Sequence, residues 1–131
     1  MKFNIEEIQI AGQKVKSGAD FSKFIKEIKA MGVERYDVYV INGMAIYFGK
    51  EEHTVESAPI YETLLIEEQS SAEELKEALR VHQQGKTDYQ TFCRQAAGAG
   101  VEKWVVDLKE MTVTYLDMAG HELLVEHIET A

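Results

Sequence analysis

The chain has 131 residues, 45% of them hydrophobic and 28% charged, which suits one soluble globular domain large enough to bury a core. Lys and Arg number 14 against 23 Asp and Glu, and the net charge of −9 argues against nucleic acid and anionic membranes as partners. The lone cysteine, Cys93, excludes an intrachain disulfide. With no signal-like N-terminus and no apolar run of the roughly 20 residues a membrane helix needs, a cytoplasmic location is expected.

Asn4 followed by Glu7 predicts a helix start, with Phe3 stapled on Ile8 and a stripe of Ile5, Ile8, Ala11 and Val15. Ser17-Gly18 breaks that helix. Asp20 is read as the cap of a second, whose inner stripe is Phe21, Phe24, Ile25 and Ile28, and Gly32 suits its left-handed end. "VERYDVYVI" and "MAIYFG" then read as strands. Asn42-Gly43 between them favours a two-residue hairpin turn, because both residues accept positive φ, and that turn pairs 40 with 45 and 38 with 47. Residues 53–67 read as extended, with Pro59 disfavouring a central strand nearby. Ser70-Ser71 with Glu73 and Glu74 predicts a third helix, with Leu75, Ala78, Leu79 and His82 on one face and Gly85 at its end. Thr87 with Gln90 opens a fourth, which turns Tyr89, Phe92, Cys93 and Ala96 inward and ends at Gly100. Strands at 101–109 and 111–117 make a second hairpin, and "GHELLVEHI" supplies another strand.

The two halves echo each other. "AGVEKWVVDL" from Ala99 nearly rewrites "MGVERYDVYV" from Met31. An ungapped offset of 68 also matches Asp20 with Asp88, Phe24 with Phe92, Tyr36 with Trp104, Tyr47 with Tyr115 and His53 with His121. The pattern predicts an α+β fold spanning residues 1–131 as a single domain. Two ααββ-type repeats, approximately 4–50 and 72–118, would be related by a pseudo-twofold axis, with helices packed on one face of a mostly antiparallel sheet.

The hairpins differ on their outward faces. One face of each is apolar: Tyr36, Val38, Val40, Ala45 and Tyr47 in the first, and Trp104, Val106, Leu108, Val113 and Tyr115 in the second. The opposite face of the second mostly suits water, with Lys103, Val105, Asp107, Lys109, Thr112 and Thr114. That of the first carries Arg35 and Asp37 among Tyr39, Ile41, Met44, Ile46 and Phe48. Such an apolar cluster calls for a cover. Either "APIYETLLIE" folds across it or a slipped register hides it, or these five residues form a contact surface for a second copy or a ligand.

Catalytic signatures are sparse. Cys93 lies on an inward stripe with Tyr89, Phe92, Ala96 and Ala97 around it, the setting of a structural thiol. The four histidines make no HExxH, there is no thiolate-rich zinc pattern, and no phosphate-binding glycine loop occurs. His82 suits the C-terminal end of its helix. No catalytic residue, metal or cofactor is expected, and the leading reading is a non-catalytic interaction module, self-association included. The alternative is a small-molecule-binding protein or enzyme with a cleft between the repeats, where Tyr47, Tyr115, His53, His121 and Asp107 would meet.

The run from Ala78 to Glu126 carries "HQQG", "DY", "FC", "AGVEKWVVDL", "MT", "TY" and "G" followed by "LLVE", and "SGADFSKFIKEIKAMGVERYDVYV" precedes it. In these pieces the chain resembles a bacterial family of uncharacterised small proteins. The resemblance implies no activity, cofactor or catalytic residue. Some members carry the label "phage envelope protein", which implies a phage-associated structural role. No membrane segment or lipidation motif accompanies that label here.

Overall fold

The structure is a computed structural model that describes residues 2–15 and 18–128; the expected break at Ser17 lies outside them. Helix α1 runs Ile5–Gly12 and is capped as the sequence implies, the Asn4 side chain accepting from the Glu7 amide at 2.9 Å. Helix α2 runs Gly18–Met31. Asp20 therefore sits inside the first turn rather than at the cap, where its negative charge favours the helix dipole. Helices α3 (Ala72–Gln83) and α4 (Tyr89–Gly98) are capped by Ser71 and Asp88. The second cap corrects Thr87: Asp88 accepts from the Thr91 amide at 2.8 Å, and a carboxylate outranks a threonine hydroxyl there.

The described residues also form six strands: β1 (Arg35–Tyr39), β2 (Ala45–Phe48), β3 (Thr54–Glu56), β4 (Val101–Asp107), β5 (Thr112–Asp117) and β6 (Glu122–His127). They form one sheet, in the order β3-β2-β1-β4-β5-β6, with every neighbouring pair antiparallel. Four helices on this sheet make an α+β fold. Phe24 of α2 packs on Tyr36 with ring centroids 6.3 Å apart, and Phe92 of α4 packs on Trp104 at 5.8 Å, so the helices share one face. Ile8, Ile25, Ile28, Leu75, Val33, Val40, Val101, Val106 and Leu108 are essentially inaccessible beneath them. Burying each such side chain favours the fold by roughly 1.5–3 kcal/mol.

The first hairpin departs from its expected register. Tyr36 pairs with Tyr47 and Val38 with Ala45, two residues from the expected pairing, and the Tyr39 amide bonds the Met44 carbonyl at 2.9 Å across a four-residue loop. The Val40 amide is taken by the Glu102 carbonyl at 2.9 Å, and its carbonyl accepts the Tyr61 hydroxyl at 2.6 Å. Val40 is thus committed to its neighbours and unavailable to a tight turn. Because the shift is even, every side chain keeps its expected face.

The 68-residue offset recurs in the pairing. Arg35 opposite Phe48 matches Lys103 opposite Leu116, and Asp37 opposite Ile46 matches Val105 opposite Thr114. At the middle of the sheet, Asp37 faces Val105, its own counterpart. The bond from Val40 to Glu102 is mirrored by one from the Leu108 amide to the Glu34 carbonyl at 3.0 Å. The correspondence fades at the edges, where β3 has three residues and β6 six, with a bulge at Tyr115 and Leu116.

Candidate functional site

Opposite the helices, the sheet presents a face built by alternation along each strand. β2 contributes Ile46 and Phe48, β1 Arg35, Asp37 and Tyr39, β4 Lys103, Val105 and Asp107, and β5 Thr112, Thr114 and Leu116. Val125 and His127 extend it onto β6. At its centre Asp37 is only 5% exposed. The Arg35 Nε lies 3.3 Å from one of its carboxylate oxygens and the Lys103 Nζ 3.8 Å from the other. Its Oδ1 is buried and has no hydrogen bond among the described residues. Both cations also cover rings: the Arg35 guanidinium is 4.1 Å from the Phe48 centroid, and Lys103 is 5.5 Å from that of Tyr39.

Tyr39, Met44, Ile46 and Phe48 are half-buried, Tyr39 and Phe48 under these cations, and the segment 58–67 does not cross the strands. It runs past the end of the sheet instead. The Ile60 amide bonds the Asn42 carbonyl at 2.9 Å, Leu64 bonds Ile41 at 2.7 Å, and Glu67 bonds Ala97 at 3.0 Å. Ile41 belongs to this end, 42% exposed and bonded through its carbonyl to Leu64, whereas Tyr39, Ile46 and Phe48 lie on the strands.

The residues of the alternative cleft do not converge. Tyr47 and Tyr115 are core residues on β2 and β5, three strand spacings or roughly 14 Å apart. Tyr47 leans on Tyr36 at 4.9 Å, and burial pushes its phenol up to about 12. Tyr115 donates to Glu126 at 3.0 Å, and its phenol is raised by burial and then by that carboxylate. His53 and His121 precede the two opposite edge strands. His53 Nε2 donates to the Phe3 carbonyl at 2.7 Å, pinning the start of the chain. His121 sits beside Asp117, with Nδ1 and Oδ2 3.2 Å apart. Asp107 accepts from the Lys109 and Glu110 amides at 2.9 and 3.0 Å through one carboxylate oxygen, which makes it a turn cap. A hollow of about 320 Å³ between α3 and α4 is lined by Glu74, Glu77, Ala78, Val81, Gln95 and Gly98, and none of the five residues borders it.

Cys93 is fully buried, and burial raises its thiol, against the Tyr61 and Tyr89 hydroxyls that turn toward it. His82 reaches the Thr87 carbonyl at 3.0 Å and stacks on Phe92 at 5.0 Å, tying the α3–α4 turn to the core. Asp37 is the site residue that sequence reasoning passed over. A charged residue on a strand's outer face reads as solvated, and only the register beside Lys103 and Val105 shows that it is buried.

The family described as "Protein of unknown function (DUF1398)" matches residues 9–127. The chain belongs to that family. A relative, the "Uncharacterized protein YcgX" of Escherichia coli (strain K12), is 24% identical over 117 residues, covering 89% of this chain and 87% of that protein. Neither description names a reaction or a phage role. Among the described residues no group of three or more His, Cys, Asp or Glu is placed to hold a metal, and no helix is long and apolar enough to cross a membrane.

Proposed function

We propose that this DUF1398 chain is a non-catalytic interaction module whose helix-free sheet face is its contact surface and whose partner there is a second copy. In this reading the two halves are ααββ-type repeats meeting at the pair Asp37 and Val105. The observation that carries it is the buried Asp37 carboxylate at the centre of an otherwise uncovered face. A buried ion pair of this kind contributes little to stability and is often kept for specificity.

The face suits self-pairing. The chain as a whole is strongly acidic, yet the outward positions Arg35, Asp37, Lys103 and Asp107 of β1 and β4 balance two cations against two anions. One cross-strand row runs Ile46, Asp37, Val105, Thr114 and Val125, so three apolar side chains alternate with the carboxylate and a threonine. Six strands by five residues span about 24 Å by about 17 Å, a flat footprint of roughly 400 Å². A stable interface needs about 800 Å² of accessible surface per partner. Corrugation makes up part of that difference, and the expected dimer is weak and concentration-dependent.

Sedimentation velocity over a concentration series tests this. The wild type should shift from monomer to dimer as concentration rises, and Ile46→Lys should remain monomeric with its fold intact. A strict monomer at every concentration, or association that Ile46→Lys leaves unchanged, would overturn the assignment.

A further inference from the structure

We infer that the end of the sheet carries a second docking surface, a groove for a basic peptide segment with apolar anchors, supplied by another protein. The groove, of about 470 Å³, is lined by Ile41, Thr63, Leu64, Leu65, Ile66 and Met118. Its rim keeps large apolar groups in water: Leu65 is 82% exposed, Met118 47% and Ile41 42%. Scattered apolar residues are ordinary on a surface, whereas a contiguous set around a concavity marks a contact site.

The groove is built before any partner arrives. Its floor is the extended segment fixed by the bonds of Leu64 to Ile41 and Glu67 to Ala97, and Tyr61 anchors the same segment to Val40. A preorganised segment of this kind gives up little entropy on binding.

Charge selects the occupant. Between Glu51 and Leu75 the chain holds eight glutamates and no Lys or Arg, and Glu62, Glu67 and Glu68 flank the lining residues, all three exposed. An apolar anchor seated between Leu65 and Met118 would place its flanking residues beside these carboxylates, so Lys or Arg complements the rim. A second copy entering by the same groove would bring two such acidic segments together, which like-charge repulsion opposes. This surface is separate from the sheet face, so the inference stands whether or not the chain self-associates.

The test is a titration of the ¹⁵N-labelled full chain with a short alternating lysine–leucine peptide, alongside a lysine-only peptide of equal length. The expected result is amide shifts concentrated at residues 41, 63–66 and 118, with the lysine-only peptide markedly weaker. Leu65→Asp should weaken binding about tenfold or more without lowering the thermal midpoint, since Leu65 already lies in water. Ile46→Lys, on the sheet face, should bind the peptide as the wild type does. Shifts spread over the acidic surface, equal binding of the lysine-only peptide, or unchanged binding by Leu65→Asp would each overturn the inference. So would concentration-dependent self-association abolished by Leu65→Asp, because the occupant would then be a second copy.

Discussion

Replacing Gly100 with alanine probes how the segment before α3 is held against the sheet. Gly100 has φ +82°, and a Cβ built there would lie 2.7 Å from the Ser70 Cα and 3.0 Å from the Gln69 carbonyl oxygen. Gly85 has nearly the same conformation, φ +77°, with nothing within 4 Å of its Cβ position. Gly85→Ala should therefore cost only the left-handed backbone term, about 1–2 kcal/mol. Gly100→Ala adds a clash with backbone that cannot rotate away. That backbone is tethered by the Ser71 amide on the Ala99 carbonyl at 2.8 Å and the Ser70 hydroxyl on Asp117 at 2.9 Å. Retreat by the ångström or so needed would break both bonds, at about 1 kcal/mol each. The expected total is roughly 3–4 kcal/mol, read from urea unfolding midpoints at constant m-value. A Gly100→Ala variant no less stable than Gly85→Ala would refute the close approach of this segment.

Asp37→Val removes the buried carboxylate from the outer face while keeping a strand-compatible shape. Arg35 and Lys103, 47% and 26% exposed, can turn to water when the carboxylate goes, so thermal unfolding should find the variant neutral or stabilised by about 1 kcal/mol; a loss above about 2 kcal/mol would mean that a cation is left buried and unpaired. Asp117 is held below the usual carboxylate range, first by the His121 amide, then by the Ser70 hydroxyl and the His121 ring, against a desolvation that acts the other way. A depressed carboxylate stabilises the fold above its unfolded value of about 3.9 and loses that contribution as pH falls through its folded value. Asp117→Asn should flatten the acid limb of stability measured in urea below about pH 4, and an unchanged limb contradicts this. Cys93, buried with a raised thiol, should react with a thiol reagent at least about a thousandfold faster in the unfolded chain than in the native one. Comparable rates would place it at the surface.

Much of this architecture was legible in the sequence because local rules and the internal echo agreed. The caps at Asn4 and Ser71, the buried stripes of α2 and α3, and the inward faces of both hairpins follow from periodicity alone. Where reading failed, a long-range partner had won. Asn42-Gly43 favours a tight turn, but Val40 is bonded to Glu102 and Tyr61, so the loop opens to four residues. The same opening carries Ile41 away from Ile46 and Phe48 toward Leu64, splitting one expected patch into two surfaces. Offset matching set His53 against His121, and each directly precedes an edge strand. It could not show that strand order sends counterparts to opposite edges. Met111, at φ +57°, occupies the position matching Gly43 at +77°, a left-handed site that its side chain conceals from a sequence reader.

The most direct test of the contact face is an isotope-filtered nuclear Overhauser experiment on a mixture of labelled and unlabelled chains at high concentration. Intermolecular cross-peaks are expected among the methyl groups of Ile46 and Val105, which flank Asp37, and of Val125 farther along the same row. A self-associated sample whose cross-peaks lie elsewhere, or a monomer with none, would contradict the assignment of this face.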